Sequence, residues 1–184
     1  MIKINMGCGW RNFGTEWIHI DGGDYPHLHS KDIAKLPFED ESVDLIYSSH
    51  VIEYFDREEI VQILREWNRV LKTNGVLRIA VPNFQAMAYL YLSRSYPLEN
   101  FLGPLYGQMK MGEHSIYHKT VYDYESLEKL LLNNGFKSVC KYNWEDTEHS
   151  QFDDHSQAYL PHMDKENGVL VSLNVECLKR GING

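Results

Sequence analysis

The stretch INMGCGWRNFGTEWIHIDGGD (Ile4–Asp24) contains a glycine turn between two short apolar runs. The first run ends at Gly7 and Gly9, a polar bridge follows, and the second run ends at Asp21. Glycine lets the backbone approach a ligand closely where a strand ends. Glycines followed by an acid in a strand–turn–strand context therefore indicate a pocket for a nucleotide-like ligand.

The spacing within this stretch does not fit a dinucleotide site. The dinucleotide fingerprint needs a third glycine where Asn12 stands, and an acid about 20 residues further on. Asp21 follows Gly7 by only fourteen residues. A full crossover helix barely fits in that gap, so we expect a loop or a single helical turn. The sequence points away from NAD.

Length and charge exclude several classes of protein. With 184 residues we expect one domain over residues 1–184. The formal net charge of −8 argues against binding to nucleic acid or to an anionic membrane. No apolar run approaches the roughly 20 residues that span a bilayer, and we expect no targeting segment before the first strand. The 3 cysteines are far apart, which argues against a disulfide framework and favours a reducing cytoplasm.

Apolar runs typical of strands alternate with helical periodicity along the chain. Apolar residues recur at helical spacing between Phe55 and Leu71, and KTNG predicts that this helix ends with Gly75 as a left-handed cap. A second helix is predicted from Asp123 to Leu132. The alternation predicts a parallel sheet covered on both faces, within a single α/β domain. The predicted strands are Ile2–Met6, Trp17–Ile20, Val43–Tyr47, Val76–Val81, Lys137–Tyr142 and Val169–Cys177.

Further stretches follow the glycine turn in a recognisable order. They are HIDGGD (19–24), KDIAKLPFEDESVDLIYSSHVIEYF (31–55), EWNRVLKTNGVLRIAVPNF (66–84) and LLLNNGFKSV (130–139). In this order the sequence resembles the class I S-adenosylmethionine-dependent methyltransferases, especially the small type 11 members. The resemblance implies S-adenosylmethionine as cofactor. It also implies a three-layer domain with a mostly parallel seven-stranded sheet, in which HSKDIAK (29–35) is strand three and the last strand is antiparallel between five and six.

The resemblance also implies a set of donor contacts. Asp21 takes the ribose hydroxyls, Asp32 accepts from the adenine amino group, and Ile33 packs on the adenine ring. Asn5 stands where the family usually has an acid for the donor's ammonium group, and its neutral amide gives no charge pairing. A simpler interpretation of each acid or glycine is that it is a turn or surface residue. Asp24 could also take the place of Asp21 as the ribose contact. The full predicted set is Asn5, Gly7, Cys8, Gly9, Asp21, Asp32, Ile33 and Ser49.

Methyl transfer asks the protein chiefly to align a nucleophile with the methyl group and to exclude water. An alcohol acceptor benefits from a general base, for which histidine has a suitable pKa. The candidate bases are His50, His114, His118, His155 and His162. His50 follows the fourth strand of the implied fold, so it is the predicted catalytic residue. The competing interpretation makes it an ordinary helix-opening residue with Ser49 as N-cap.

The connection Tyr142–Asn167 is long for a compact domain and carries aromatic residues, which argue against disorder. It is either a surface excursion or a lid that closes over the acceptor. A metal-dependent enzyme is an alternative, with candidate ligands in this connection, although no metal site is predicted because no closed zinc spacing occurs. These candidates are His149, Asp153, Asp154, His155, His162 and Asp164, with His114 and His118 as a further pair.

The aromatic and polar loops suit a small polar acceptor such as a sugar or glycan hydroxyl. A different class of function is a domain that binds S-adenosylmethionine or S-adenosylhomocysteine without catalysis, as a sensor or partner subunit. The short first crossover, Asn5 and the lack of a helix before Ile2 favour that alternative.

Overall fold

The computed structural model describes residues 1–181 of the chain. Its strands and helices are, in chain order, β1 (Lys3–Met6), β2 (Ile18–Ile20), β3 (Val43–Ser49), α1 (Glu59–Val70), β4 (Leu71–Pro82), α2 (Phe84–Arg94), α3 (Glu99–Tyr106), β5 (Met109–Met111), β6 (His114–Ile116), α4 (Tyr124–Asn133), β7 (Phe136–Lys141), β8 (Tyr159–Leu160), β9 (Val169–Leu170) and β10 (Ser172–Lys179).

The main sheet has the strand order β2-β1-β3-β4-β10-β7. The first four of these strands are parallel to one another, and β10 is antiparallel to both β4 and β7. This confirms the mostly parallel sheet with an antiparallel last strand. It also places the carboxyl ends of β1, β2 and β3 side by side at one edge of the sheet.

The predicted third strand at HSKDIAK is not formed in the described residues. It is reduced to a single bridge between Ser30 and Ile20, so the sheet has six strands instead of seven. The Asp32 carboxylate accepts the backbone N–H groups of Ala34 and Lys35, both at 2.9 Å. These local hydrogen bonds fold the segment into a turn and leave no extended backbone to pair.

Helix α1 confirms the predicted apolar stripe, because Ile60, Ile63, Leu64, Trp67 and Val70 are its buried residues. The predicted glycine cap is wrong. The backbone becomes extended at Leu71, so β4 begins as soon as the helix ends. The left-handed residue is the neighbouring asparagine, Asn74, with φ +61°, and asparagine tolerates this conformation better than most residues. The second predicted helix is confirmed as α4, with Asp123 as its N-cap.

One face of the sheet carries the main apolar core. Alternate residues of the strands, such as Ile4, Ile46 and Ile79, pack in one cluster with the buried residues of α1 and α4. Helices therefore cover this face, as the apolar stripes of α1 and α4 predict.

The opposite face of the sheet is covered by loops. The first crossover contains no helix, as expected, and Phe13 and Trp17 from it pack on Tyr47 of β3. From the long connection, the His149 ring lies 3.9 Å from the Tyr47 ring, and Phe152 stacks on Phe13 at 4.4 Å. The long connection therefore supplies part of the third layer of the domain.

The predicted lid over Tyr142–Asn167 needs correction for this reason. Thr147, His149, Asp154, Ser156 and Gln157 are all buried. They cannot swing away without uncovering the sheet, so only the part of the connection that faces the cavity described below remains a candidate for closure.

His149 makes the stability of this layer depend on pH. Burial lowers its pKa from 6.5 to about 4, so below pH 6.5 the unfolded chain binds the proton more readily than the folded chain. We expect its contribution to be complete above pH 6.5 and to be lost as pH falls toward 4, by about 3 kcal/mol in total. Urea titrations across this range check the prediction.

The controls for this measurement are two substitutions. His149→Gln should flatten the pH dependence of the free energy of unfolding, and the same change at the exposed His114 should not. An equally steep loss of stability in the His149 variant would contradict the assignment.

In residues 1–181, no helix has both the length and the apolar character that crossing a membrane requires.

Candidate functional site

A cavity of about 1000 Å³ lies at the carboxyl ends of β1, β2 and β3. This is the edge at which open α/β sheets bind their ligands. Its walls come from the first glycine turn, the ends of β2 and β3, helix α3, the β5–β6 hairpin and the segment 154–163. The volume is at the upper end of small-molecule sites, which leaves room for two ligands of moderate size.

The glycine turn and Asp21 form one unit of this wall. Gly7 and Gly9 have φ angles of +67° and +57°, so both lie in the left-handed region. The Asp21 carboxylate accepts the N–H of Gly9 at 2.8 Å through Oδ2, and the N–H of Gly23 at 2.7 Å through Oδ1. Asp21 therefore ties the turn after β1 to the end of β2.

The two glycines meet different surroundings. A Cβ atom on Gly7 would clash with Cγ2 of Val51, whereas a Cβ on Gly9 would have no atom of the described residues within 4 Å. Gly9 therefore presents bare backbone to open space, as close approach of a ligand requires.

Two further members of the predicted donor set line the cavity. Ile33 contributes apolar surface, and its backbone oxygen accepts a hydrogen bond from Nε1 of the buried Trp67 at 2.9 Å. Ser49 at the end of β3 lies 3.4 Å from the Asp154 carboxylate. Ser49 does not cap a helix, because the short 3-10 helix Ile52–Tyr54 follows Val51.

The structure places the remaining three members of the predicted set outside the cavity lining. Asn5 is buried beneath the loops, and its Nδ2 has no hydrogen-bond partner in the part of the chain that the structure describes. Cys8 is buried with its sulfur 3.6 Å from His27 Nε2, and burial, followed by the charge of Asp21, raises its thiol pKa to about 12. Asp32 is exposed and closes its own turn. Their positions in the sequence predict that these three residues lie near this edge of the sheet. They do not predict that the side chains point away from the cavity.

His50 lies in the cavity wall in a left-handed conformation, with φ +54°. A non-glycine residue held in this region is a pointer to function. Its Nδ1 is 3.6 Å from Glu53 Oε1, its Nε2 is 3.4 Å from Ser172 Oγ, and its ring centroid is 5.1 Å from that of His155. Burial, then the neighbouring His155, His118 and Arg11, lower the pKa of His50 well below 6.5, so its imidazole is neutral at neutral pH.

Glu53 is a site residue that the sequence does not identify, whereas His118 is among the histidines predicted as candidate bases or metal ligands. Glu53 is completely buried, and burial raises its carboxyl pKa to about 8. His118 lines the cavity, donates from Nδ1 to the Pro104 carbonyl at 2.9 Å, and places Nε2 3.7 Å from Glu53 Oε1. The available signal was an acid inside the apolar run HVIEYF, three residues after His50.

The candidate metal ligands do not converge. No three His, Cys, Asp or Glu side chains within residues 1–181 are arranged to hold an ion. His149 packs under the sheet, His155 and His162 line the cavity, and His114 is exposed on β6.

Residues 11–79 match the family model described as a methyltransferase domain, of the type 11 kind. This segment runs from the first crossover into β4 and includes Asp21, Ile33, Ser49 and His50. The match supports a class I methyltransferase of type 11. That family and fold imply S-adenosylmethionine as the cofactor, and they support S-adenosylmethionine-dependent methyltransferase activity.

Solved structures of such methyltransferases share the fold. One from Methanosarcina mazei is 17% identical with a TM-score of 0.59, and the alignment covers 97% of this chain and 92% of that one. One from Mesorhizobium loti is 16% identical with a TM-score of 0.58, covering 97% and 90%. One from Archaeoglobus fulgidus is 16% identical with a TM-score of 0.56, covering 97% and 85%. A search of curated protein sequences finds no match.

Proposed function

We propose that the protein transfers a methyl group from S-adenosylmethionine to a hydroxyl group of a small polar acceptor, such as a sugar or glycan. The observation that carries this proposal is that His50 lines the same cavity as the glycine turn that Asp21 holds in place. Donor-binding features and a candidate base are thus within the same enclosed space.

The residues on the donor side fit S-adenosylmethionine. Gly9 offers backbone with open space above it, Asp21 keeps acceptor capacity beyond its two N–H partners, and Ile33 supplies an apolar surface. When bound, the cofactor supplies an activated methyl group on a sulfonium. Asp21 and Ile33 would hold its ribose and adenine, and Ser49 and the Gly7–Gly9 backbone would border the rest.

The acceptor side of the cavity mixes aromatic, amide and imidazole groups. Tyr54, Tyr159, Gln108, His155 and His162 line it, together with apolar side chains of the β5–β6 hairpin. Such groups can bind the flat faces and the hydroxyls of a small polar molecule. His50 is the proposed base for the acceptor hydroxyl. The segment Tyr159–Met163, which faces the cavity, is the proposed closing element.

The chemistry of the chain supports two further parts of the proposal. The net charge of −8 supports an acceptor other than nucleic acid. The cysteines Cys8, Cys140 and Cys177 are all free thiols, which supports a location in the reducing cytoplasm.

A non-catalytic binding domain is the second candidate, and one observation favours it. Asn5 is buried, and its amide nitrogen has no partner within residues 1–181. Because this residue is a neutral amide, it supplies no carboxylate to pair with the donor's ammonium group. A sensor would bind donor and product in the same cavity without turnover of the methyl group.

Titration calorimetry with S-adenosylmethionine and S-adenosylhomocysteine, with and without a chelator, tests the donor proposal. We expect one site for each ligand, with affinities that the chelator does not change. Absence of binding would overturn the proposal, and loss of binding on chelation would revive a metal-dependent enzyme. Methyl transfer from labelled donor to a panel of sugars and phenols then separates the enzyme from the sensor.

Gly9→Val should weaken S-adenosylhomocysteine binding by a factor of about 10 or more, because the side chain would fill the space in which a ligand approaches the backbone. Gly14→Val is the matched control. Gly14 also has a positive φ and nothing within 4 Å of an added Cβ, but it lies outside the cavity lining. If the folded Gly9 variant binds S-adenosylhomocysteine as tightly as its parent, the glycine turn is not part of the donor site.

A further inference from the structure

We propose that Glu53, with His50 and His118, forms a proton-holding cluster that releases a proton when the sulfonium donor binds and takes up the proton of a hydroxyl acceptor. This inference rests on the proposed function and deepens it. It assigns a positioning and proton-holding role to Glu53 and restricts the acceptor to a nucleophile that loses a proton.

The first argument is the burial of Glu53. Its side chain is fully buried, and neither carboxyl oxygen has a hydrogen-bond partner in residues 1–181. Its backbone oxygen accepts the N–H groups of Lys119 and Thr120 at 2.8 and 3.2 Å, which holds it against the segment that carries His118. A buried carboxyl without partners is destabilising, so its presence directly behind two histidines of the cavity wall calls for a function.

The second argument is the arrangement of the two imidazoles. His50 Nδ1 and His118 Nε2 approach the same oxygen of Glu53, at 3.6 and 3.7 Å. His118 donates from Nδ1 to a carbonyl, so its neutral ring presents the lone pair of Nε2 to Glu53. Each ring can therefore accept the proton of a neutral Glu53 after a small approach. Both rings also line the cavity.

The third argument is charge. Burial keeps Glu53 protonated at neutral pH and both imidazoles neutral, so the cluster holds one exchangeable proton. A cation in the cavity that His50 and His118 line favours the ionised carboxylate behind them. The groups that face the cluster are His50, His118, Tyr54 and Tyr122 around Glu53, and His155 and Arg11 around His50. Among these only Arg11 carries a fixed charge.

The proton count balances over one cycle. Binding of the positively charged donor releases the Glu53 proton to solvent. In methyl transfer the acceptor O–H bond breaks, a C–O bond forms, and the S–C bond breaks with its electron pair remaining on sulfur. The acceptor proton passes to His50 and from it to Glu53, which restores the starting cluster beside the neutral product.

Calorimetry in buffers of different ionisation enthalpy measures this proton directly and needs no acceptor. At neutral pH, wild-type protein should release up to about one proton more on binding S-adenosylmethionine than the Glu53→Gln variant does. S-adenosylhomocysteine lacks the sulfonium charge, so the two proteins should show no such difference with it. The Glu58→Gln variant is the matched control, because Glu58 is an exposed acid on the same short segment.

The affinity for S-adenosylhomocysteine separates this inference from the donor proposal. Glu53→Gln should bind it within a few-fold of wild type, since Gln is isosteric with the protonated side chain. Proton release that is equal in wild type and the Glu53→Gln variant, with binding intact, would overturn the inference alone. Absence of binding to wild type would overturn the proposed function instead.

An infrared measurement on wild-type protein covers the case in which the variant does not fold. The band of a protonated carboxyl should disappear on addition of S-adenosylmethionine and persist with S-adenosylhomocysteine. A band that S-adenosylmethionine leaves unchanged would overturn the inference.

Discussion

Trp67→Ala should lower the free energy of unfolding by about 3–5 kcal/mol, the usual range for emptying a buried aromatic site. Trp67 is completely buried in the main core, at the centre of the apolar stripe of α1. The indole also donates to the Ile33 carbonyl at 2.9 Å. Denaturant titration measures the loss, and a value below about 1 kcal/mol would show that the helix does not face the sheet as described.

The same residue links the core to the cavity, which gives a second readout. Trp67→Phe keeps most of the apolar volume but removes the Nε1–H donor to Ile33. We expect this variant to lose less stability than Trp67→Ala and to bind S-adenosylhomocysteine more weakly than wild type. Unchanged affinity would show that the hydrogen bond from Trp67 to Ile33 does not affect binding at the donor site.

Asp154→Ala should lower the free energy of unfolding by about 3 kcal/mol, because a buried carboxylate that accepts several hydrogen bonds is lost. Asp154 accepts from the Tyr47 hydroxyl at 2.6 Å and from the Ser156 N–H at 2.8 Å. Without it, the Tyr47 hydroxyl stays buried and unpaired, and the long connection loses its attachment to β3. Thermal and urea unfolding measure the effect.

Two companion variants test the reason for that loss. Asp153→Ala, at the neighbouring exposed acid, should change stability by less than about 0.5 kcal/mol. In the Tyr47→Phe background, Asp154→Ala should cost less than it does in wild type, since the two side chains share one hydrogen bond. Equal losses at Asp153 and Asp154 would mean that the connection is only a surface excursion.

Local sequence patterns were sufficient to predict those helices whose position depends on a few neighbouring residues. The apolar spacing of α1 and the Asp123 cap of α4 are read directly from the sequence, because burial and capping act over a few neighbouring positions. The short first crossover followed from the distance between Gly7 and Asp21. The family resemblance supplied the antiparallel last strand, which periodicity alone does not reveal.

The third layer could not be predicted because its contacts join distant parts of the chain. His149 and Phe152 are read as loop residues, yet they pack on Tyr47 and Phe13 more than 100 residues earlier. Similarly, the turn at Asp32 replaced a predicted strand because one carboxylate satisfied two nearby N–H groups. Local hydrogen bonds of this kind compete with strand pairing without altering the hydrophobic pattern.

In the candidate site, too, some residues could be predicted from the sequence and others could not. Gly7, Gly9, Asp21, Ile33, Ser49 and His50 all line the cavity, because parallel strands place their carboxyl ends together. The proton-holding cluster was not visible in the sequence. Glu53 and His118 are 65 residues apart, and only the return of the chain after β6 brings them to the same carboxyl oxygen.

A crystal structure of the complex with S-adenosylhomocysteine would locate the donor site. We expect the ligand to occupy the cavity at the ends of β1, β2 and β3, with its ribose hydroxyls on the Asp21 carboxylate and its adenine against Ile33. A ligand bound outside this cavity, or one within it that does not touch Asp21 and the Gly7–Gly9 backbone, would contradict the proposed donor site.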